Sequence, residues 1–335
     1  MECLFMASSQ SFENKKILVT GGAGSIGSAI VRELLSHKPA VIRIIDNNES
    51  ALFELEEELK THIRQLRFLV GDVRDRERLQ RATEGIDLVF HAAALKHVPL
   101  CEYNPFEAVK TNVLGTQNVI DACLAAAVKK VIFISTDKAV NPVNVMGASK
   151  LLGERLMVAA NEYRGTHQTI FSVVRFGNVL ASRGSVIPLF VHQIRNGGPL
   201  TITDRRMVRF IMPLEHAVQL ILNATEMAHG GEIFILHMPQ VRMIDLAEVM
   251  IEKLAPRFNR DPRSIEIQTI GTKKGEKLEE TLVGELEGPK AAFQKDLIII
   301  NGSGNPTPLP KPKLLSKSEI WDILKELDWD NMRIS

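Results

Sequence analysis

Cysteine is scarce: Cys3, Cys101 and Cys123 are the three in 335 residues. No two form a CxxC pair, and so scattered a set builds neither a disulfide framework nor a zinc cluster. No metal site is expected, and the usage suits a reducing cytoplasm. An excess of one charge is also missing. Lys and Arg number 41 against 40 Asp and Glu, a formal net charge of +1, which lacks the basic surplus that holds nucleic acid through its phosphates. No apolar run approaches the ~20 residues of a bilayer span; the longest resemble Val131–Ile134 and Leu297–Ile300. No membrane span is expected, and the segment Met1–Lys16 carries two acids and no small-residue cleavage site, unlike a secretory signal. Tyrosine is rarer still, with two residues, as many as tryptophan. Tyr103 and Tyr163 are followed four residues later by Glu107 and His167, so no Tyr-x-x-x-Lys occurs anywhere.

Hydrophobic residues make up 45% and charged residues 24% of the chain, enough to bury a core. At roughly 150 residues per domain the length allows about two domains. Short β-branched runs (Lys16–Thr20, Val41–Asp46, Arg67–Val70, Ile86–Ala92, Lys130–Ser135, Thr169–Phe176) alternate with stretches of helical period (Ile26–Leu35, Ala51–Ile63, Asp75–Ala82, Phe106–Ala126, Gly147–Tyr163). Repeated βα units predict an α/β protein with a Rossmann-type, doubly wound parallel sheet over residues 1–175, joined by a returning segment near 212–238. The alternation fails after Arg175, which predicts a smaller substrate lobe over 176–335. Asn301–Pro312 reads as a loop, and Ser316–Leu327 as a capped helix.

The first strand runs into Thr20-Gly-Gly-Ala-Gly-Ser-Ile-Gly27 and then a helix. Gly21, Gly24 and Gly27 permit a tight turn and close backbone approach. With Ser25 and Ile26 they open a helix whose free N–H groups suit a pyrophosphate. Asp46, ending the second strand, is placed to accept from a ribose 2'-OH, and no Arg or Lys follows in Asn47–Ser50 to welcome a 2'-phosphate. NAD is therefore expected rather than NADP. Asp72-Val73 suits the adenine edge, although Asp72 reads equally well as a helix cap.

The glycine spacing, His91-Ala92-Ala93-Ala94 and Asn112 within Lys110–Thr116 resemble the extended short-chain dehydrogenase/reductases that act on nucleotide sugars. Ser135-Thr-Asp-Lys-Ala-Val-Asn-Pro142, Asn144-Val-Met-Gly-Ala-Ser-Lys150 and Arg175-Phe-Gly-Asn-Val-Leu180 are similar to the UDP-N-acetylglucosamine 4,6-dehydratases of polysaccharide biosynthesis. So are Lys96-His97-Val-Pro99, Arg183–Pro188 and Gly275–Leu278. The resemblance runs from about Lys16 to Leu282. One departure is chemical: Met146 stands where the superfamily carries its catalytic tyrosine, and a thioether cannot pass a proton. The branch of these dehydratases that retains configuration at C5 shows this same methionine. Met146 also reads as core packing.

The resemblance implies NAD-dependent oxidation at C4, loss of water across C5 and C6, and hydride return to C6. Elimination needs a base near C5 and an acid near the C6 hydroxyl, roles that fall to Lys138 and Asp137. O4 is expected to lose its proton through Thr136 or Asp137, and Lys150 to hold the nicotinamide ribose beside Ala92 and Ala93. For the UDP-sugar substrate, Asn178, Arg209 and Lys273 are placed for the diphosphate. Lys96 and His97 are candidate sugar contacts, with His97 equally a turn histidine. A 4-epimerase and a catalytically silent NAD or nucleotide-sugar binder are the alternatives. The helices at 106–126 and 147–163 resemble those that pair relatives into homodimers, so a homodimer or higher homo-oligomer is expected.

Overall fold

The structure, a computed structural model, describes residues 11–294 and 296–329. Cys3 and residues 1–10 of the segment considered above as a signal lie outside the described residues. Six strands alternate with helices through the first half. They are β1 (Lys16–Thr20), β2 (Val41–Asp46), β3 (Leu66–Val70), β4 (Leu88–His91), β5 (Lys130–Thr136) and β6 (Ile170–Phe176). After them come β7 (Asn178–Val179), β8 (Leu200–Ile202), β9 (Val208–Met212), β10 (Ile233–Leu236), β11 (Gln240–Arg242), β12 (Ile267–Thr269), β13 (Ala291–Gln294) and β14 (Leu297–Ile300). The large sheet has the order β13, β14, β10, β6, β5, β4, β1, β2, β3. All pairings from β10 through β3 are parallel.

Strand order reverses between β1 and β4. In such sheets the crevice beyond the carboxyl ends at the reversal is where ligands bind. The strands of the centre are apolar along their length because helices cover both faces: β4 is buried at every position.

Helices α1 (Ser25–Ser36), α2 (Glu49–Glu58) and α3 (Arg76–Thr83) follow the first three strands. After α4 (Val98–Tyr103), the stretch read as one helix over 106–126 comes in pieces: α5 (Pro105–Ala108), a π-helical turn Val109–Leu114, and α6 (Gly115–Ala125). A single π turn leaves the apolar period almost intact, so the sequence pattern does not show it. Next are α7 (Val145–Tyr163), α8 (Val186–Arg195), α9 (Leu214–Met227), α10 (Met243–Leu254) and α11 (Lys317–Leu324). Asn144 starts α7 by accepting from Gly147 N at 2.7 Å, and Ser316 with Glu319 forms a capping box on α11.

Two apolar clusters result. One, including Ile17, Phe90, Phe133, Val173, Leu220 and Ile299, lies on the sheet. The other, including Ile187, Phe190, Leu200, Ile211, Met250 and Ile320, is the lobe's own. Residues 291–300, read from sequence as lobe, instead extend the large sheet through antiparallel β13 and β14. The continuous run Leu297–Ile300 is buried at each position, as an inner strand requires.

Candidate active site

A cavity of about 1120 Å³ opens at the strand-order reversal and runs from the glycine turn after β1 into the lobe. Gly21 has φ +63°, and a Cβ there would stand 2.6 Å from the Ala93 backbone nitrogen; at Gly27 it would stand 2.2 Å from the Gly21 carbonyl oxygen. Only glycine permits both approaches. The α1 N-cap is Gly24, which supplies no side-chain cap, so the first N–H groups of the helix stay available to an anion.

Asp46 is fixed at the cavity edge: Oδ2 accepts from Ala23 N and Oδ1 from Asn48 N, both at 3.0 Å. Asp72 does not cap α3, which Asp75 does. Burial acts to raise the Asp72 pKa, but hydrogen bonds from Arg74 and Asn47 outweigh it and hold the carboxyl below its usual range. Arg74 also pairs with Glu107 at 3.0 Å. Ser25, Ile26, Val73, Ala92 and Ala93 line this half of the cavity. The groove fits a dinucleotide: a cradle that any Cβ would fill, a bare helix terminus and a carboxylate at the ribose distance along the chain.

At the end of β5, Thr136 Oγ1 donates to Asp137 Oδ1 at 2.9 Å, and Lys138 Nζ donates to the same oxygen at 2.9 Å. Lys138 Nζ also donates to Asn178 Oδ1 at 3.1 Å. Thr136, Lys138 and Asn178 line the cavity; Asp137 is wholly buried behind them and is absent from its wall. Its Oδ2 has no hydrogen-bond partner among the described residues. The carboxylate expected to face the sugar thus communicates with the cavity through the Thr136 hydroxyl and the Lys138 ammonium.

Met146 and Lys150 stand one turn apart on α7, both buried and both at the cavity wall. Met146 packs with Cys101, Ala108, Val98 and Val145, so its core reading and its place at the tyrosine position coincide. Lys150 Nζ donates to Ile134 O and lies 3.8 Å from the Phe133 ring centroid. Burial pushes its pKa down to about 7, with the charge of Glu154 opposing. Behind it, burial and then the Lys150 charge lower the His91 pKa to about 3. Thr116 Oγ1 donates to Asn112 O at 2.7 Å. Its contact with His91 Nε2 at 3.1 Å therefore has the imidazole donating, which leaves Nδ1 to accept from Thr20 Oγ1 at 2.7 Å. Asn112, in the π turn, bonds the Leu95 N–H and carbonyl and Ser149 Oγ, joining the loop after β4 to α7. The sequence reading assigned His91 no role.

The expected substrate residues divide. Lys96 lines the cavity and donates its Nζ to Arg183 O. His97 packs on Gly184, where a Cβ would stand 2.5 Å from the imidazole. Lys273 is exposed at the cavity mouth. Arg209 lines the cavity, but its guanidinium donates to the carbonyls of Val208, Lys277 and Leu278 at 2.8, 2.9 and 3.1 Å. It fastens the segment after Lys273 to β9, a structural duty that the sequence reading did not foresee. Gly275 completes that docking: Asn144 donates to its carbonyl at 2.8 Å, and its φ is +81°.

The family described as polysaccharide biosynthesis protein matches residues 17–301. "Uncharacterized membrane protein MJ1061" of Methanocaldococcus jannaschii is 54% identical, over 97% of this chain and 100% of that protein; no helix among the described residues is long and apolar enough to cross a membrane. The "UDP-N-acetylglucosamine 4,6-dehydratase (inverting)" of Campylobacter jejuni is 46% identical over 81% of this chain and 78% of its own. A "UDP-glucose 4-epimerase" of Rickettsia rickettsii is 44% identical over 85% and 82%. Among solved structures, Pen from Bacillus thuringiensis superposes with a TM-score of 0.88 at 44% identity, covering 95% of this chain and 99% of that one. DesIV, a dTDP-glucose 4,6-dehydratase from Streptomyces venezuelae solved with NAD and TYD bound, gives 0.69 at 27% identity over 80% and 88%. The chain belongs to the polysaccharide biosynthesis protein family and has the fold of the extended short-chain dehydratases and epimerases.

Proposed function

We propose that the protein is an NAD-dependent UDP-N-acetylglucosamine 4,6-dehydratase that yields the 4-keto-6-deoxy sugar with the configuration at C5 retained. The observation that carries the reading is the bonded set Thr136, Lys138 and Asn178, which shares one cavity with the glycine cradle, with Asp137 buried behind it and bonded to Thr136 and Lys138. An oxidation at C4 alone needs no acid and base for elimination; this set offers both. The names of the Campylobacter and Streptomyces relatives support the dehydration, while the Campylobacter name gives the opposite outcome at C5.

When bound, the dinucleotide supplies reversible hydride transfer, taking hydride from C4 and returning it at C6. Gly21, Gly24, Ser25, Ile26 and Gly27 would hold its pyrophosphate and Asp46 its adenosine ribose. Lys150 would hold the nicotinamide ribose. A 2'-phosphate would meet the Asp46 carboxylate, and the guanidinium of Arg74 is already paired with Asp72 and Glu107; NAD is favoured on that ground.

The relay needs Asp137 to begin as the acceptor of a proton through Thr136 and Lys138 to act as the acceptor at C5. Thr136 relays the O4 proton to Asp137 as C4 becomes a ketone, which makes the C5 proton acidic. Lys138 takes that proton, and Asp137 passes its own back through the Thr136 hydroxyl to the departing C6 hydroxyl, which leaves as water. Lys138 returns its proton to C5 when C6 is reduced, and both residues regain their first state. Atoms and charge balance without a solvent proton.

Incubation of purified protein with UDP-N-acetylglucosamine tests the reading by mass: the product should be lighter by one water. A product of unchanged mass but altered configuration at C4 would favour the 4-epimerase suggested by the Rickettsia relative. No reaction would favour a silent binder.

A further inference from the structure

The loop between β7 and α8 leaves the lobe, crosses the cavity and fastens on the glycine-cradle side. Arg183 N donates to Ser25 Oγ at 2.9 Å, and Ser25 is the first residue of α1. Lys96, from the loop after β4, donates its ammonium to the Arg183 carbonyl. Gly184, at φ +67°, turns against the His97 ring at a distance that leaves no space for a Cβ. Both main-chain groups of Arg183 are thus held, yet its guanidinium makes no hydrogen bond or ion pair among the described residues. The side chain is exposed and lines the cavity.

The charges here are unbalanced in a telling way. Two cations, Lys96 and Arg183, meet where their two loops touch, and neither has a carboxylate partner among the described residues. Burial first, and then the Arg183 charge, weakens the hold of Lys96 on its proton. Like charges placed together repel, and a bound anion would turn that cost into attraction. The nearest helix terminus, that of α1, adds positive potential of the same sign. Arg209, the arginine that sequence suggested for a diphosphate, has its donors directed to carbonyls.

We propose that Arg183 is a diphosphate-binding residue, carried on a strap (182–185) that Ser25 and Lys96 hold across the cavity. Its fork of donors suits a pyrophosphate bidentately. Two diphosphates belong to the reading above, that of the dinucleotide and that of the nucleotide sugar. Only the second depends on the proposed substrate, so the two ligands are tested separately.

Titration calorimetry on the full chain, freed of bound nucleotide, would measure NAD and UDP in separate experiments, for the wild type and for Arg183→Gln. The variant should bind at least one of them about tenfold more weakly, in line with loss of one charge-assisted contact. Arg183→Lys should recover part of the loss, because charge remains while the fork does not. Weakening confined to NAD assigns Arg183 to the dinucleotide and stands even if no dehydration is ever seen. Weakening confined to UDP assigns it to the second ligand. The residue is exposed, so the variant should fold; a far-ultraviolet dichroism spectrum like that of the wild type checks this. Affinities for both ligands within twofold of wild type would overturn the proposal.

Discussion

Arg175 and Glu154 form a two-pronged ion pair, at 2.6 and 3.0 Å, that solvent does not reach. The opposite edge of the guanidinium meets Glu287 twice at 2.8 Å and Leu282 O at 2.9 Å. One arginine at the end of β6 thereby joins the helix that carries Met146 and Lys150 to the segment leading into β13. Removing one partner of such a buried set leaves uncompensated charge, a cost of about 3–5 kcal/mol. Arg175→Met should lose stability on that scale in urea unfolding, since Glu154 and Glu287 would both be stranded. A loss below about 1 kcal/mol would mean that water or a neighbour relieves them. Burial acts to raise the Glu287 pKa, but Arg175 outweighs it and holds the carboxyl low. A carboxyl depressed in the folded state contributes stability above its unfolded pKa and loses it as pH falls, so the variant should also show a shallower acid limb.

Lys150 gives the opposite sign. Its folded pKa, about 7, lies below the ordinary lysine value, so between these two the unfolded chain binds one more proton than the folded one. Stability of the nucleotide-free protein should therefore rise with pH from 7 toward 10. Lys150→Met, which keeps the apolar stem, should be more stable than wild type at pH 6, by about 1 kcal/mol or more, and should flatten this rise. Dinucleotide affinity should fall in the same variant. Unfolding midpoints at several pH values decide the first point; identical pH profiles for wild type and variant would show that Lys150 stays charged throughout.

Asp137→Asn keeps the shape of the buried site but cannot accept the O4 proton from Thr136 or hand one to the C6 hydroxyl. If the single relay through Asp137 serves both steps, the variant should form neither NADH nor product. Stopped-flow absorbance in the near ultraviolet, after mixing with UDP-N-acetylglucosamine, separates the cases. NADH that builds up without loss of water would confine Asp137 to the elimination and give O4 another acceptor. Wild-type turnover would remove Asp137 from the chemistry.

Much of this site was legible because its signals are local. The turn Gly21–Gly27 and the strand–helix alternation are written in consecutive residues, and the parallel part of the sheet, β10 through β3, is the doubly wound sheet they predict. What was not legible depends on contacts far apart in the chain. Arg175 pairs with Glu287 across 112 positions, and Arg209 reaches Leu278 across 69; neither spacing has a period to read. Asp137 looked like a cavity residue because it sits between Thr136 and Lys138. The short 3-10 turn that follows β5 instead directs its carboxylate inward. The sheet strands at 291–300 escaped because antiparallel additions at a sheet edge leave no βα signature.

Retention at C5 is the sharpest outcome that the proposed reading expects of Met146. Inversion requires a proton donor on the face of the sugar opposite the base, and a tyrosine at this position is the obvious candidate. Met146 cannot donate, and the two tyrosines of the chain, Tyr103 at 86% and Tyr163 at 51% exposure, do not line the cavity. On the proposed reading Lys138 is the base at C5, so the proton should return to the face it left. The Campylobacter relative is named as inverting, which makes the outcome a real choice between branches. In deuterated water the product should show C5 couplings of the D-gluco type, with deuterium at C5 to the extent that Lys138 exchanges with solvent. L-altro-type couplings would mean that a second donor, other than a tyrosine, acts across the ring. Met146→Tyr supplies the phenol that this argument finds missing, so part of the variant's product should show inverted, L-altro-type couplings; product retained throughout would show that position 146 does not set the configuration at C5.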